Sequence, residues 1–323
     1  MKRIIFFLIV SFCIAGGVFA GGRSESSASL SYPYSIVTTT GMIGDVARAV
    51  VGRRADVHSL MGEDIDPHLY RPTRSDVARM QQADMIFYNG LMLEGRMGDT
   101  LVQLARTRPV YAVTERVDQN VLLDDDEYEE AFDPHLWMDV RLWMNVVDVI
   151  TDAVSEFDPA HADEYRARAD EYLVELERLD EYVRGIVATI PDGKRVLITA
   201  HDAFGYFGAA YGLEVLGVQG ISTESEAGIQ DINNLVQFVV ENRIGAVFAE
   251  TTVPDRALGA VIEGARARGR EVVIGGELFS DAMGPGGTYE GTYIGMIDHN
   301  ATTIVRALGG TAPESGMNGK LSR

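Results

Sequence analysis

The sequence predicts an α/β protein with two parallel-sheet segments separated by one long helix. Three observations support this. Short apolar, β-branched runs alternate with helically spaced segments over residues 34–113. The same alternation returns over residues 195–307. Between them, residues 160–190 form a helical stretch whose first glycine is Gly185. Strands that alternate with helices pair side by side in a parallel sheet, with the helices packed on its faces.

In the first segment, residues 35–39, 56–60, 84–88 and 110–113 read as strands. Residues 42–51, 73–83 and 93–106 read as helices, with Thr73 a cap for the second. The acidic stretch 118–132 breaks the rhythm and reads as a solvated loop. Residues 139–157 form the next helix, which Asp158-Pro159 interrupts. In the long helix that follows, Val174, Leu176, Leu179, Tyr182, Val183 and Ile186 are taken as the apolar stripe. Pro191-Asp192-Gly193 ends it. The second segment gives strands at 195–199, 213–218, 246–249 and 271–275, and helices at 203–211, 231–242, 254–268 and 293–307. The expected organisation is a leader at 1–20, a tether at 21–31, an α/β lobe at 32–157, the linking helix at 158–190 and a second α/β lobe at 191–323.

A chain of 323 residues with 46% hydrophobic and 24% charged content has room for two ordinary domains. Its net charge of −20 argues against nucleic acid and anionic membranes as partners and favours cations. Lys2 and Arg3, the apolar run 4–18 and Val18-Phe19-Ala20 read as a secretory signal cleaved after Ala20. The only cysteine, Cys13, follows Phe12, which is not the small residue that lipidation requires. Cleavage at Ala20 would leave neither disulfides nor thiolate ligands, so any metal would be held by nitrogen and oxygen. The expected location is periplasmic or otherwise extracytoplasmic, with a membrane tether as the variant.

Four local phrases carry the chemistry: Asp66-Pro67-His68-Leu69-Tyr70, Asp133-Pro134-His135-Leu136-Trp137, Thr199-Ala200-His201-Asp202-Ala203 and Leu278-Phe279-Ser280-Asp281-Ala282. His68, His135, His201 and Asp281 lie far apart in sequence and can meet only in a folded cleft. Three imidazoles and one carboxylate make a closed four-coordinate site, with Zn2+ as the natural ion and Mn2+ as the alternative. Two of these residues fall in each lobe, so the site is expected between the lobes. Glu250 ends a strand and is the candidate for accepting the second ring N–H of a ligand histidine. Asp66, Asp133 and Asp202 flank ligands and either do the same or shape Asx turns. His58, His161 and His299 read as structural, and Trp137, Trp143, Phe204, Tyr206 and Phe207 as packing around the site.

In this order, the four phrases and the closing Gly291-Thr292-Tyr293-Ile294-Gly295-Met296 resemble the metal-binding solute-binding proteins of bacterial zinc and manganese ABC transporters, the TroA-like family. The resemblance covers nearly the whole chain after the leader. It implies two lobes joined by the long helix as a backbone, with the metal in the cleft between them. It also implies capture of the metal outside the cytoplasm, delivery to a permease with its ATPase subunit, and a monomer. Manganese-selective members of that family commonly carry Glu at the position of His201, while those with His include zinc binders and some that accept both metals. The histidine-rich loop of some zinc-specific members has no counterpart here. The alternatives are a zinc-dependent hydrolase and an adhesin-like surface protein. The hydrolase requires an open coordination position and a general base, yet four ligands close the shell and no His-Glu-x-x-His helix is present. The adhesin reading finds no repeats to support it.

Overall fold

Burial explains why the short apolar runs become strands. Tyr34–Thr38 (β1) and Met85–Tyr88 (β3) are almost wholly buried, because parallel sheets are covered on both faces. The computed structural model describes residues 30–125 and 131–322. The expected leader, Cys13 and most of the tether lie outside them, as do residues 126–130 of the acidic stretch.

The first sheet consists of β1, β2 (Ala55–Ser59), β3 and β4 (Val110–Ala112), all parallel, in the order β2-β1-β3-β4. The second consists of β5 (Val196–His201), β6 (Glu214–Gln219), β7 (Ala246–Glu250) and β8 (Val273–Leu278), in the order β6-β5-β7-β8. The two orders are the same, and each has its switch point beside its first strand. In open α/β sheets, ligands bind outside the carboxyl ends of the strands at that point.

Helices α1 (Gly41–Val51), α2 (Arg74–Gln82) and α3 (Gly98–Leu104) belong to the first lobe. Helices α6 (Gly205–Tyr211), α7 (Ile229–Glu241), α8 (Arg256–Ala267) and α9 (Tyr293–Ala307) follow in the second half of the chain. Between the sheets run α4 (Val140–Phe157) and α5 (Ala162–Val187). Thr73 caps α2 in a reciprocal box with Asp76, as its position before the helix suggests. The expected helix at 93–106 is shorter: Gly95–Met97 is a 3-10 turn and the α-helix starts only at Gly98. Glycines at both positions weaken the first turn, which accounts for the late start.

The long helix is present, with one correction to its stripe. Val174 is exposed, and the buried face runs through Tyr165, Ala169, Leu176, Leu179, Val183 and Ile186. Val174 stands two residues from Leu176 and therefore on another side of the helix. Asp180, on the same helix, is fully buried but well partnered. It accepts from Arg141 Nε (2.7 Å), Arg184 Nη2 (2.9 Å) and the Tyr211 hydroxyl (3.1 Å), tying α4, α5 and α6 together. Residues Tyr32–Arg323 form one compact unit, so the two sheets and the helices between them pack as a whole. Among the described residues no helix is long and apolar enough to cross a membrane.

Gly295 shows why the closing phrase has the composition it has. A Cβ there would lie 1.8 Å from the Tyr289 carbonyl oxygen, so only glycine lets the Tyr289 turn sit on the start of α9. Thr292 caps the same helix through the Gly295 N–H.

Candidate metal centre

Each of the four singled-out residues sits at the carboxyl end of a strand or in the loop beyond it. His201 is the last residue of β5, one step inside the strand rather than after it. Gly217 on β6 permits this placement, since a Cβ there would lie 2.5 Å from the Asp202 backbone nitrogen. Asp281 lies three residues beyond β8, and His68 follows β2 through a turn-rich loop. His135 follows the acidic stretch, whose described ends are pinched by an antiparallel bridge between Asp124 and Phe132.

The fold brings the four together. One ligand atom from each lies within 4.8 Å of all the others, and all four residues are buried. His68 Nε2 is 3.2 Å from His135 Nε2 and 3.8 Å from Asp281 Oδ2. His135 Nε2 is 3.3 Å from Asp281 Oδ1, and His201 Nε2 is 3.3 Å from Asp281 Oδ2. Ligands about 2.0–2.1 Å from a tetrahedral zinc ion stand roughly 3.3 Å from one another, so the cluster has the dimensions of a first coordination shell.

The outer contacts fix which ring nitrogen faces inward. Asp133 Oδ1 accepts from the His135 backbone N–H at 2.9 Å and lies 2.7 Å from His135 Nδ1. That contact assigns the ring proton to Nδ1 and leaves the lone pair on Nε2. Asp133 therefore both shapes the turn and orients the His135 imidazole. Glu250, the last residue of β7, does the equivalent for His201: Oε1 accepts from the His201 backbone N–H at 2.8 Å. Oε2 lies 2.5 Å from His201 Nδ1 as a close, off-axis ion pair. Asp66 Oδ1 accepts from the His68 backbone N–H at 2.8 Å, a turn-shaping contact only. Asp202 makes no hydrogen bond to a ligand imidazole among the described residues. Burial and the neighbouring Asp133 charge push its carboxyl up to about 6.

The electrostatics favour positive charge at the centre. Burial opposes the charged form of His135, but the Asp133 and Asp281 carboxylates outweigh it and raise the imidazole to about 9. Burial likewise opposes a charged His201, and Glu250 and Asp281 raise it well above the ordinary histidine value. The two imidazoles in turn hold Asp281 well below the usual carboxylate range, against its burial. His68 is different, because burial pushes it down to about 3 and its imidazole stays neutral. His201 Nε2 and both Asp281 oxygens are buried with no hydrogen-bond partner. Buried polar atoms are rarely left so, and a divalent cation among them satisfies all of them at once.

Aromatic rings seal the site. Trp137 is fully buried, edge-on to His135 at 5.2 Å, and its Nε1–H donates to the Ser280 carbonyl at 2.8 Å. That bond joins the His135 loop to the loop bearing Asp281. Trp143 stacks on Tyr293, whose hydroxyl donates to the Trp137 carbonyl. The Tyr206 hydroxyl donates to the Asp133 carbonyl at 3.0 Å. The remaining histidines lie elsewhere: His58 contacts Arg79, His161 pairs with Asp158, and His299 faces the Glu277 carbonyl. Sequence reasoning missed Glu94, which is buried and accepts from Thr39 Oγ1 (2.6 Å) and the Asn89 N–H (2.7 Å). Asn89 Nδ2 in turn donates to the Pro134 carbonyl at 3.0 Å, bracing the turn before His135. An isolated glutamate in a loop gives no local signal for such a role.

Replacing Glu250 with glutamine tests this outer shell. The amide oxygen can still accept from the His201 N–H, but the NH2 group then faces Nδ1 and drives the ring proton to Nε2. Metal affinity is expected to fall about 10–100-fold with the fold retained. A competition titration that finds unchanged affinity would refute the role.

Two four-stranded parallel sheets with a buried His3Asp cluster at their carboxyl ends describe a metal-binding solute-binding protein. The family described as "ZnuA: Zinc-uptake complex component A periplasmic" matches residues 36–307, and the chain belongs to it. The chain is 46% identical over 275 residues to the zinc-binding protein TroA of Treponema pallidum, covering 84% of this chain and 88% of that protein. It is 43% identical over 287 residues to the manganese-binding lipoprotein MntA of Bacillus subtilis, covering 89% of this chain and 94% of that one. The fold matches the solved structure of the periplasmic zinc-binding protein TroA from Treponema pallidum with a TM-score of 0.83 and 44% identity, over 85% of this chain and 99% of that one. It also matches Fe(III)-bound YtgA from Chlamydia trachomatis with a TM-score of 0.78 and 28% identity, over 87% of this chain and all (100%) of that one.

Proposed function

We propose that this protein captures one divalent transition metal outside the cytoplasm through His68, His135, His201 and Asp281 and hands it to a permease driven by an ATPase subunit. The mutual proximity of the four ligand atoms, all within 4.8 Å, is the observation that carries the reading. Zinc is favoured, since three nitrogens and one oxygen suit a borderline ion better than manganese, which prefers harder, oxygen-rich shells. The similarity to a manganese-binding relative keeps Mn2+ as the second cargo. The protein acts as a carrier and not as a hydrolase: four buried ligands close the shell, where a catalytic zinc keeps a position for water. The working units are the lobes at 32–157 and 191–323, with 158–190 as the linking helix and a monomer as the carrier. Elemental analysis of protein purified without added metal tests the reading. It should find about one zinc or manganese per chain, and a metal-free chain that cannot be loaded would refute it.

Metal choice is expected to turn on His201. His201→Glu replaces a borderline nitrogen with a hard oxygen and adds a negative charge beside Glu250 and Asp281, a change that suits the harder ion. The zinc-to-manganese affinity ratio should fall by about tenfold, the equivalent of about 1.4 kcal/mol. Paired competition titrations check it, and a ratio that is unchanged or higher would count against the assignment.

A further inference from the structure

The least shielded ligand is His68. It is 6% exposed, whereas His135 and His201 are fully buried. His68 lines a cavity of about 450 Å³ together with Leu91, Arg96, Phe132, Ile221 and Glu224. This cavity is the open side of the centre. Elsewhere around the centre the loops are tied by buried contacts, Trp137 to Ser280 and Tyr206 to Asp133.

At the open side, Thr223 and Glu224 of the irregular segment 220–228, between β6 and α7, each reach across to the first lobe. Thr223 is 8% exposed, and its Oγ1 donates to Asp66 Oδ2 at 2.6 Å. Asp66 is the residue whose other oxygen accepts from the His68 N–H at 2.8 Å and, at longer range, the Leu69 N–H at 3.4 Å. One carboxylate thus links the His68 turn to the second lobe. Beside it, Arg96 Nε lies 2.8 Å from Glu224 Oε1 across the cavity. Arg96 sits in the 3-10 turn Gly95–Met97, directly after a loop that Glu94 pins through the Asn89 and Gly90 N–H groups. Its anchor on the first lobe is therefore well braced.

From this geometry we propose that Thr223 is a positioning residue for metal retention. Its bond to Asp66 holds the His68 loop against the second lobe, and the Arg96–Glu224 pair shuts the cavity mouth, so the two contacts form a latch that must part before the metal leaves. This inference rests on the metal-binding assignment above. A hydrogen bond to an ionised carboxylate is among the stronger kinds, whereas a half-exposed ion pair is weak and screened by salt. The threonine should dominate and the ion pair should add a smaller, salt-sensitive part.

The test is the rate at which protein loaded with one equivalent of zinc surrenders it to an excess of a chromophoric chelator in stopped flow. Thr223→Val keeps the shape and removes the donor, and release should accelerate about tenfold, with Thr223→Ser restoring the slow rate. Arg96→Glu should accelerate release about two- to threefold at low salt and less at high salt, and the swapped pair Arg96→Glu with Glu224→Arg should reverse it. A valine variant that releases zinc within twofold of the unsubstituted protein, or a serine variant that does not restore the rate, would overturn the proposal. If the valine variant fails to fold, the charge pair decides: an unaltered rate in Arg96→Glu, or no reversal by the swap, overturns it as well. Unsubstituted protein that takes up no stoichiometric zinc would refute the metal assignment itself, whereas normal loading with unaltered release in the variants refutes the latch alone.

Discussion

Replacing His68 and His135 together with alanine is expected to abolish stoichiometric metal binding while leaving the fold in place. The two residues are half of the proposed ligand set, and their Nε2 atoms lie 3.2 Å apart. Structural zinc sites are worth about 10–16 kcal/mol, or roughly 3 kcal/mol for each of four ligands. Losing two of them removes about 6 kcal/mol, roughly four decades in affinity. The change also leaves Asp133, which is buried beside His135, without the imidazole it orients, so some loss of stability should accompany it. Calorimetric titration with zinc checks the prediction. Unchanged stoichiometry and affinity in the double variant would remove both residues from the site.

Much of this centre could be read from local sequence, for physical reasons. Pro67 and Pro134 restrict the chain just before each histidine, and Asp66 and Asp133 accept from the N–H two residues on. Turns of this kind are written in adjacent residues. Glu250 was legible because it ends an apolar strand, and in a parallel sheet that end faces the ligand. The contacts across the cleft were not. Thr223 meets Asp66 at a separation of 157 residues, and Arg96 meets Glu224 at 128. No local pattern marks a lone threonine or a surface ion pair as bridging two lobes. The misplaced Val174 has a different cause. The long helix carries apolar residues on more than one side, and periodicity alone does not say which side faces the core.

Removing the metal should lower the melting temperature while changing the molecule's dimensions little. The ion would bind residues from both lobes and only in the folded state. At a metal concentration a thousandfold above Kd, its binding stabilises the fold by about 4 kcal/mol. For a chain of this size that corresponds to a drop in Tm on the order of 10 °C on chelation. The dimensions are set by other parts of the molecule. The 26 residues of α5 form one rod about 39 Å long, without proline, packed against α1, α4 and α9. Asp45 on α1 accepts from the Tyr172 hydroxyl on α5 (3.2 Å) and from the Tyr293 N–H at the start of α9 (3.0 Å), and the Tyr182 hydroxyl on α5 bonds Thr302 Oγ1 on α9 (3.1 Å), so helices of both lobes are tied to the same rod. Opening the cleft then means a small tilt and a rearrangement of the loops around His68, His201 and Asp281, not a wide hinge motion. Small-angle scattering of metal-loaded and chelated protein should give radii of gyration within about 1 Å of each other, near the roughly 20 Å expected for a folded chain of this length. An expansion of several ångströms on chelation would mean that α5 bends or that the Asp45 contacts release, and the metal would then be closing a hinge rather than locking loops onto a rigid frame.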